Sequence, residues 1–241
     1  MAVFYVSAQT GNDGNDGDSP TTAFASLQAG LDAMASAGDI VYIAPGTYRG
    51  IFDMNSAVNG TSSRNNKIVG DPYCEIFTAE EKGAVRLSNT DENDINAQTT
   101  TSGTNRYVFY VSKLRTEVHN LHVDGGGNNF SDEARQRTYM YSYGIAGASD
   151  GYYNAYNCIC QMLGYGFYRM GTTNCIAISV VYGYYAGYKH VHSFSLAAYA
   201  GFYLSDYVVD CVAIGSYIAG FWNNDHVCNG FAIGGGYGAR G

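Results

Sequence analysis

The sequence of 241 residues is poor in charge, proline and tryptophan. Charged residues make up 14% of it, with 13 Lys and Arg against 21 Asp and Glu, and there are 3 Pro and 1 Trp. The net charge of −8 has the wrong sign for wrapping a polyphosphate backbone, because cationic side chains supply most of the affinity for nucleic acid. No apolar run reaches the roughly 20 residues that a membrane helix needs. The sequence therefore predicts no nucleic-acid partner and no membrane span.

Cysteine is present, but without the spacing of a metal site. The chain has 6 Cys, contains no Cys-x-x-Cys pair, and is too long for a small disulfide-dense scaffold. We therefore expect free thiols in the core. Cys158, Cys175 and Cys211 fall at one register of a repeat described below, which favours a stack of buried thiols over catalysis.

The residues that are abundant, 31 Gly and 23 Tyr, are unevenly distributed. Residues 139–241 hold 17 of the Tyr and 7 charged residues, whereas residues 1–138 hold 27 charged residues. A long segment with so little charge has to pack against something, because large exposed apolar patches mark interfaces. We predict one continuous domain, with an N-terminal cap and irregular coils over 1–138 and Gly/Tyr-rich repeats over 139–241.

The first 48 residues predict a strand, a polar loop, an amphipathic helix and a second strand. In the helix, apolar residues recur near a 3.6-residue spacing at Phe24, Leu27, Leu31 and Met34. Thr22 or Ser26 can cap its N-terminus, and Gly38 ends it. Residues 40–43 then form a short β-branched run typical of a buried strand, and Pro45-Gly46 makes a turn.

The segment FYVSAQTGNDGNDGDSPTTAFASLQAGLDAMASAGDIVYIAPGTYRG resembles the opening of right-handed parallel β-helix proteins of the pectate-lyase-like superfamily. The resemblance covers about fifty residues. It implies a helix that plugs the N-terminal end of an all-β solenoid, and a first coil that contains the DIVYI strand. It does not imply catalysis, since lyases, hydrolases, epimerases and viral spikes share this opening. Further strands are predicted at 67–70, 85–87, 107–112 and 118–123, followed by a lateral excursion or a hinge over 124–137.

The second half contains a repeat of about eighteen residues. A small polar residue followed by an apolar run recurs with spacings of 17, 19, 17 and 19 at Asn157, Asn174, Ser193, Asp210 and Asn229. A Gly followed by an aromatic residue marks the same cycle at 165–167, 186–188, 200–202 and 219–221. In a solenoid, equivalent positions stack at the strand spacing of about 4.8 Å, so these polar residues are predicted to form a hydrogen-bonded turn ladder.

Groups for catalysis are scarce in the repeats. The resemblance implies, for a lyase, acidic calcium ligands and a Lys or Arg base, and the repeats offer Arg169 and Lys189 as bases. A hydrolase could use carboxylates among Asp206, Asp210 and Asp225, although these need not converge. We predict no catalytic residue and leave an enzyme, either a polysaccharide lyase or a glycosidase, as the alternative.

Two candidate metal sites stand out. The loop with Asp13, Asp16 and Asp18 has the oxygen density of a structural calcium site, although it lacks the closing Glu of an EF-hand. The competing interpretation is a polar turn. His190 and His192 share a strand face and could bind a transition metal with His226, but histidines on such faces are usually hydrogen-bonded rather than metal-bound. No other cofactor is predicted.

The aromatic residues of the repeats are too many to fit inside a narrow coil, so several are predicted to point outward. They can stack on sugar rings or pack against another protein chain. The residues chosen for this interface are Tyr184, Tyr185, Tyr188, Tyr203, Tyr207, Tyr217, Phe221 and Trp222.

The sequence thus favours a non-catalytic structural or adhesive β-helix protein of a viral particle, of phage head-decoration or tail-fibre type. The opening MAVFYVSAQTG lacks the features of a secretory signal, and the closing GGGYGARG offers no cap for a solenoid end. We expect self-association, as a trimer, or docking on a larger assembly, at a virion or extracellular surface. The alternatives are a carbohydrate-active enzyme and a carbohydrate-binding module, both with a polysaccharide as partner.

Overall fold

The computed structural model describes residues 1–88, 107–125, 143–148, 152–197, 199–215, 219–234 and 237–240. Within these ranges it contains one short α-helix, one 3-10 helix and a succession of short strands. The helical elements are the 3-10 helix Pro20–Thr22 and helix α1 (Leu27–Asp32). The strands up to the middle of the chain are β1 (Val3–Val6), β2 (Ile40–Ile43), β3 (Gly46–Arg49), β4 (Phe52–Asp53), β5 (Asn66–Gly70), β6 (Val85–Ser88), β7 (Tyr107–Val111), β8 (Thr116–His119), β9 (His122–Asp124), β10 (Tyr143–Gly147), β11 (Tyr153–Tyr156) and β12 (Ile159–Tyr168). The remaining strands are β13 (Gly171–Thr173), β14 (Ile176–Tyr185), β15 (Lys189–Val191), β16 (Phe194–Ala197), β17 (Ala200–Tyr203), β18 (Tyr207–Val209), β19 (Val212–Ile214), β20 (Ala219–Trp222), β21 (His226–Cys228), β22 (Phe231–Ile233) and β23 (Tyr237–Arg240).

These strands form three parallel sheets that run along the molecule. Sheet A has the order β1-β2-β5-β8-β11-β13-β15-β18-β21. Sheet B has the order β3-β6-β9-β12-β14-β16-β19-β22, and sheet C the order β4-β7-β10-β12-β14-β17-β20-β23. The long strands β12 and β14 pass through both sheet B and sheet C, where the chain bends between them.

The chain visits sheets A, B and C in turn and returns one rung higher with each coil. Ile159, Ile176, Phe194, Val212 and Phe231 are successive partners in sheet B, so one coil takes 17 to 19 residues. The molecule is therefore a parallel β-helix, and the predicted repeat of about eighteen residues is confirmed. Sheet A continues from β1 to β21, so one solenoid includes both the N-terminal strands and the repeats.

The corner between sheets A and B is a single residue in the left-handed backbone conformation. Its φ lies between 48° and 57° in successive coils at Asn120, Asn157, Asn174, His192, Asp210 and Asn229. Asn and Asp tolerate this conformation better than most residues, because their short polar side chains can hydrogen-bond locally. The corner between sheets C and A uses the same conformation at Arg169, Ala186, Leu204 and Asn223.

The N-terminal helix confirms its predicted cap but is shorter than predicted. The Ser26 hydroxyl accepts a hydrogen bond from the Ala29 amide, while the helix ends at Asp32, well before Gly38. Leu27 and Leu31 are fully buried, and the helix packs on β1, β2 and β4. No helix among the described residues is long and apolar enough to cross a membrane.

The early strands lie where the sequence predicts them, with one difference. The predicted strand 118–123 is divided into β8 and β9, because Asn120 turns the chain in the left-handed conformation. The predicted excursion over 124–137 lies outside the described residues, except for Asp124 and Gly125.

The repeat core combines a column of large rings with columns of small residues. Under sheet C, Phe167, Tyr184, Phe202 and Phe221 stack with centroid separations of 5.2, 4.5 and 5.4 Å. Just after the corner between sheets A and B, the inward positions of successive coils are Cys158, Cys175, Ser193 and Cys211, all buried. The cysteines are free thiols, so the predicted core register of Cys158, Cys175 and Cys211 is confirmed.

Glycine marks the bend between sheets B and C. A Cβ on Gly166 would lie 2.7 Å from the Gly183 carbonyl oxygen, and a Cβ on Gly201 would lie 2.7 Å from that of Gly220. The predicted Gly-aromatic marker is therefore right in three coils. It is wrong at 186–188, because the equivalent segment of that coil is Tyr182-Gly183-Tyr184.

Candidate functional site

Outward-facing aromatic residues form two columns on the outer face of sheet C, which we call the aromatic face. Partner registers place Tyr107, Tyr143, Tyr165 and Tyr182 in the first column. The second column follows the coils through Tyr110, Ala146, Tyr168, Tyr185, Tyr203 and Trp222. The rings of both columns are partly buried.

The columns arise from a four-residue segment that repeats once per coil. In Tyr165-Gly-Phe-Tyr168 the first and fourth side chains face outward, and the third enters the core. The same pattern recurs at 182–185, whereas Ala200 and Ala219 take the first place at 200–203 and 219–222, where the fourth residues Tyr203 and Trp222 continue the second column. Because parallel strands stack equivalent positions, the recurring segment brings these rings together in one strip.

Successive rings within a column are in contact. The centroid separations are 4.7 Å for Tyr143–Tyr165, 5.2 Å for Tyr165–Tyr182 and 5.4 Å for Tyr168–Tyr185. Tyr203 and Trp222 continue the strip with centroids 4.6 Å apart. The rings therefore form one contiguous surface rather than isolated aromatic residues.

Between the columns, some rings meet edge to face, whereas Tyr182 and Tyr203 are stacked with planes 15° apart. The planes of Tyr165 and Tyr185 are 81° apart, and those of Tyr182 and Tyr185 are 72° apart. Such perpendicular pairs are a favoured arrangement of aromatic rings. The aromatic face is thereby held in a fixed shape before any ligand binds, and it offers apolar ring surface together with phenol hydroxyls.

The hydroxyls of Tyr182 and Tyr185 stay protonated at neutral pH. Burial, followed by the neighbouring phenols Tyr199 and Tyr165, raises the pKa of Tyr182 well above its ordinary value. Burial also raises the pKa of Tyr185, where Tyr203 and Tyr168 act in the same direction. The phenols can therefore donate hydrogen bonds to a ligand oxygen over the whole physiological pH range.

A groove opens at the N-terminal end of the aromatic face. Its volume is about 200 Å³, below the roughly 300 Å³ at the lower end of small-molecule pockets, and Tyr107, Tyr110, Tyr143 and Tyr168 contribute to its lining. The Arg169 guanidinium also lines it and lies 5.1 Å from the Tyr168 ring centroid. The groove is thus aromatic with a cation at its rim.

Of the predicted interface residues, Tyr185, Tyr203 and Trp222 lie on the aromatic face. The prediction is wrong for Tyr184 and Phe221, which are 0% and 3% exposed and belong to the core column. They point inward because each is the third residue of its four-residue segment. 

The other predicted aromatic residues lie elsewhere. Tyr188 covers Gly171 on sheet A, and its hydroxyl donates to the Tyr153 carbonyl oxygen at 3.1 Å. Tyr207 is 50% exposed on sheet A and stacks on His226. Tyr217 lies outside the described residues.

Several members of the aromatic face were missed at the level of sequence. They are Tyr107, Tyr110, Tyr143, Tyr165, Tyr168 and Tyr182. The signal that could have found three of them is the first or fourth place of the four-residue segment, at Tyr165, Tyr168 and Tyr182. Tyr107, Tyr110 and Tyr143 precede the regular repeats and carry no such signal.

The predicted turn ladder exists, with one residue misplaced. Asn174 Nδ2 donates to Asn157 Oδ1 at 3.4 Å, and Asn229 Nδ2 donates to Asp210 Oδ1 at 2.9 Å. The prediction is wrong for Ser193, because His192 occupies the corner and its Nε2 lies 3.3 Å from Asp210 Oδ2. Ser193 follows the corner and points inward.

The ladder also extends one coil further than predicted. Asn157 Nδ2 donates to Asn120 Oδ1 at 3.3 Å. Asp210, a candidate hydrolase acid in the sequence, is engaged in this ladder with both of its neighbours. The ladder accounts for its position without any catalytic role.

The acidic loop near the N-terminus uses its carboxylates for structure. Asp13 Oδ1 accepts hydrogen bonds from the Ala25 and Ser26 amides, each at 2.8 Å. Asp16 Oδ1 accepts from the Asp18 amide, and Asp18 Oδ1 accepts from the Thr22 hydroxyl. Among the described residues, no group of three or more His, Cys, Asp or Glu is placed to hold a metal ion, so the polar-turn interpretation fits the loop better than calcium.

The remaining candidate acids and bases do not converge on the aromatic face. Asp206 and Asp225 occupy equivalent places on adjacent rungs, since the Asp225 amide donates to Ser205 and the His226 amide to Asp206. Both are exposed near the corner that leads into sheet A. Lys189 begins β15 on sheet A, so only Arg169 adjoins the aromatic groove.

His190 is a core residue, not a metal ligand. It is fully buried, with Nδ1 at 2.8 Å from the Thr172 hydroxyl and Nε2 at 3.0 Å from the Ser205 hydroxyl. Its neighbour His192 points outward from the corner. The two histidines therefore cannot share one metal ion.

A second polar cluster, also missed in the sequence, lies on the outer face of sheet A. Glu117 accepts a hydrogen bond from Asn65 Nδ2 at 2.8 Å, and its Oε2 lies 3.2 Å from His119 Nε2 and 3.6 Å from Lys67 Nζ. Burial acts to raise the pKa of Glu117, but these three partners outweigh it and lower the pKa. Because its members already bind one another, the cluster stabilises the sheet face rather than offering free groups to a ligand.

Comparison with known proteins supports the fold. By sequence, the chain matches no family model and no curated protein. Its three-sheet coil is that of a right-handed parallel β-helix protein, the class defined by pectate lyase and rhamnogalacturonan lyase structures. The predicted resemblance to the pectate-lyase-like fold is thereby confirmed.

The similarity to individual structures lies in the fold alone. Pectate lyase Pel9A has a TM-score of 0.61 at 14% identity, over 99% of this chain and 77% of that one. A rhamnogalacturonan lyase has a TM-score of 0.62 at 14% identity, over 95% and 62%. The GH136 lacto-N-biosidase from Eubacterium ramulus has a TM-score of 0.55 at 16% identity, over 90% and 45%. The chain thus spans less than two thirds of the length of the latter two proteins.

Proposed function

We propose that this protein binds a neutral polysaccharide along the aromatic face of sheet C. The observation that carries the proposal is the strip from Tyr165 to Trp222, whose second column is aromatic over four successive coils and whose first column adds Tyr165 and Tyr182. A sugar has apolar C–H faces and a rim of hydroxyls, which matches a surface of ring carbon and phenol oxygen.

The class of ligand is supported by the structural neighbours. Two of them are named as lyases of pectate and rhamnogalacturonan, and one as a lacto-N-biosidase, so all three act on carbohydrates. Their low identity transfers no activity to this chain. The type of ligand that the three neighbours share makes carbohydrate a better supported partner for the aromatic face than a generic protein surface.

Charge favours a neutral over an acidic glycan. The chain carries a net charge of −8, and a polyuronate would be repelled by this field at low ionic strength. Among the described residues that line the groove, Arg169 is the cation, and a single cation does not form a basic track. Neutral chains meet no such barrier.

A second candidate is cleavage of the bound glycan. The observation that favours it is the stacking of Asp206 and Asp225 at equivalent places on adjacent rungs, three residues after Tyr203 and Trp222 in the chain. If these carboxylates act as a hydrolytic pair, Asp206→Asn and Asp225→Asn abolish release of reducing ends. Unchanged release, or none from the wild-type protein, removes this candidate.

The finer prediction, a structural or adhesive protein of a viral particle, stays a prediction from the sequence. A phage component of decoration or tail-fibre type that adheres to a glycan would use the same aromatic face. The proposal of glycan binding does not depend on that setting.

The binding proposal is tested by affinity electrophoresis in gels that contain neutral polysaccharides, such as a glucan, a mannan and a xylan, with polygalacturonate for comparison. The double variant Tyr185→Ala/Trp222→Ala is expected to weaken binding about 10-fold or more, because each lost ring contact contributes on the order of 1 kcal/mol. Tyr207→Ala is the matched control, since Tyr207 is an exposed ring on sheet A.

Two results would overturn the proposal. One is an absence of retardation by every neutral polysaccharide, and the other is an equal loss of binding in the Tyr207→Ala control. Retardation by polygalacturonate alone would transfer the proposal to acidic glycans and remove the argument from charge.

A further inference from the structure

The outer face of sheet B changes abruptly from polar to aliphatic along the solenoid. Partner registers define one column through Thr47, Arg86, His122, Ile159, Ile176, Phe194, Val212 and Phe231. The second column runs through Arg49, Ser88, Asp124, Gln161, Ile178, Leu196, Ile214 and Ile233. From β14 onward every residue of both columns is apolar, and we call this part the aliphatic face.

The aliphatic face is open to solvent in the single chain. Ile176 and Ile178 are each 37% exposed, and Leu196 is 41% exposed. Their neighbours along the strands, Ala177 and Ser195, are buried, because side chains alternate between the core and the outer face of a strand. The exposed residues therefore point outward as a set, and no loop among the described residues covers them.

The size of the aliphatic face fits a protein interface. Taking about 150–250 Å² for a large side chain in full exposure, its members present roughly 600 Å² of apolar surface. Two such faces pressed together bury about 1,200 Å², the lower end of the range for specific interfaces. A patch of this extent exceeds what scattered surface residues account for.

We propose that the aliphatic face binds the same face of a second copy of this chain. The strands β14, β16, β19 and β22 place no charged residue in its two columns, so it offers nothing to pair with a charged partner. Two copies of one flat sheet face can pack at about 10 Å with interdigitated side chains, as in a β-sandwich. A face that meets itself gives a closed twofold dimer.

The polar half of sheet B fixes the orientation of the two copies. With parallel solenoid axes, Arg86, His122 and Asp124 would face their own copies across the interface, which would cost desolvation. With antiparallel axes, a twofold axis along the strand direction near β16 lets β16 face β16 and β14 face β19. β22 then faces β12, whose outward residues are Ile159 and the uncharged Gln161, and Arg86, His122 and Asp124 of both copies lie outside the overlap, so we propose the antiparallel dimer.

This dimer differs from the association predicted from the sequence. That prediction placed self-association on outward aromatic residues and expected a trimer. The inferred dimer instead uses sheet B, while sheet C turns away from it at the bend marked by Gly166, Gly183 and Gly201. Both aromatic faces remain uncovered, so dimerisation and glycan binding can be tested separately.

The experiment is sedimentation velocity of the wild-type protein over a wide concentration series, repeated with two lysine variants. Leu196→Lys places a charge on β16, where the two copies meet, and is expected to raise the dimer dissociation constant at least 100-fold. Leu204→Lys is the matched control, because Leu204 is a 37% exposed leucine at the corner between sheets C and A and should leave the dimer intact.

Folding and orientation are checked in the same series. Circular dichroism and thermal unfolding show whether Leu196→Lys stays folded, and unchanged glycan retardation shows that its aromatic face is intact. In a Cys228→Ser background, which removes the exposed thiol, Ile178→Cys mixed with Ile214→Cys is expected to cross-link on oxidation, whereas Ile178→Cys alone is not.

The proposal is overturned by a wild-type monomer at every concentration, by a trimer that Leu196→Lys leaves unchanged, or by equal effects of the two lysine variants. Self-cross-linking of Ile178→Cys would overturn the antiparallel arrangement. None of these outcomes alters the test of glycan binding, which relies on Tyr185 and Trp222.

Discussion

Tyr184 and Phe202 stack in the core with ring centroids 4.5 Å apart and planes within 1° of parallel. The Tyr184 hydroxyl is buried under this stack and lies 2.7 Å from the Cys175 carbonyl oxygen, to which it donates. Its counterparts Phe167 and Phe221 have no such group. A buried phenol costs free energy unless it is bonded, so this single hydroxyl ties the ring column to the neighbouring strand.

Removing that hydroxyl is expected to weaken the fold modestly. Tyr184→Phe keeps the ring stack and loses one buried hydrogen bond, which should lower the free energy of unfolding in urea by about 1 kcal/mol. The same change in the partly buried ring of the aromatic face, Tyr185→Phe, should change it by less than about 0.5 kcal/mol. Equal losses in the two variants would contradict the role given to the Cys175 contact.

The turn ladder is expected to depend on backbone conformation as well as on hydrogen bonds. Asn174 has φ of 54°, and its side chain donates to Asn157. Asn174→Ala loses the hydrogen bond and adds left-handed strain, so we expect a loss of about 1–2 kcal/mol. Asn174→Gly loses the hydrogen bond without that strain and should be less destabilising. If denaturant unfolding shows Gly to be as harmful as Ala, strain is not the reason for Asn at this corner.

Buried His190 is expected to make stability depend on pH. Burial lowers its pKa to about 3 from 6.5, so between these values the unfolded chain binds the proton that the folded chain rejects. The contribution of neutral His190 to the free energy of unfolding is therefore complete above pH 6.5. Between pH 6.5 and about pH 3 it decreases by about 1.4 kcal/mol for each pH unit.

The measurement is the urea midpoint as a function of pH between 4 and 7. His190→Gln should flatten the slope in this window, whatever its effect on absolute stability. The exposed His226→Gln serves as the control and should leave the slope as in the wild-type protein. A wild-type slope in His190→Gln would show that other groups cause the acid sensitivity.

The glycine at the bend between sheets B and C is expected to tolerate no side chain. A Cβ on Gly183 would lie 2.1 Å from Ser195 Oγ and 2.9 Å from the Gly201 carbonyl oxygen on the next rung. Gly183→Ala should therefore cost about 1–3 kcal/mol, because the backbone oxygen can move only if the rungs separate. Gly83→Ala, where the nearest atom would be Pro45 Cβ at 3.8 Å, is the control and should be nearly neutral in thermal unfolding.

The sequence was most informative at positions where one structural requirement favours one residue type. Asn at a left-handed corner is such a case, and so Asn157, Asn174 and Asn229 were found by spacing. The prediction from sequence was wrong at His192, because histidine has no general preference for the left-handed corner. The adjacent Ser193 was assigned to the ladder instead, since it is a small polar residue. The direction of each ring was likewise missed, since Tyr occurs on both sides of sheet C.

The candidate site was likewise predicted correctly for some residues and wrongly for others. Tyr185, Tyr203 and Trp222 were predicted as outward, but Tyr184 and Phe221 were assigned with them although they enter the core. A ring next to a glycine can face either way until the bend of the strand is known. The cluster around Glu117 was invisible because Asn65 and Glu117 are 52 residues apart in the chain.

What the sequence determined by itself is the parallel β-helix, its repeat of about eighteen residues and its N-terminal helix. The helix and the repeat follow from local patterns, namely apolar spacing, turn residues and their recurrence, and the parallel β-helix follows from the repeat together with the resemblance of the opening segment to pectate-lyase-like proteins. Only the tertiary structure decided which rings face outward and that sheet B carries an aliphatic face. Those properties depend on the stacking of residues from successive coils, and the direction of a side chain is set by the bend of the sheet beneath it rather than by its neighbours in the chain.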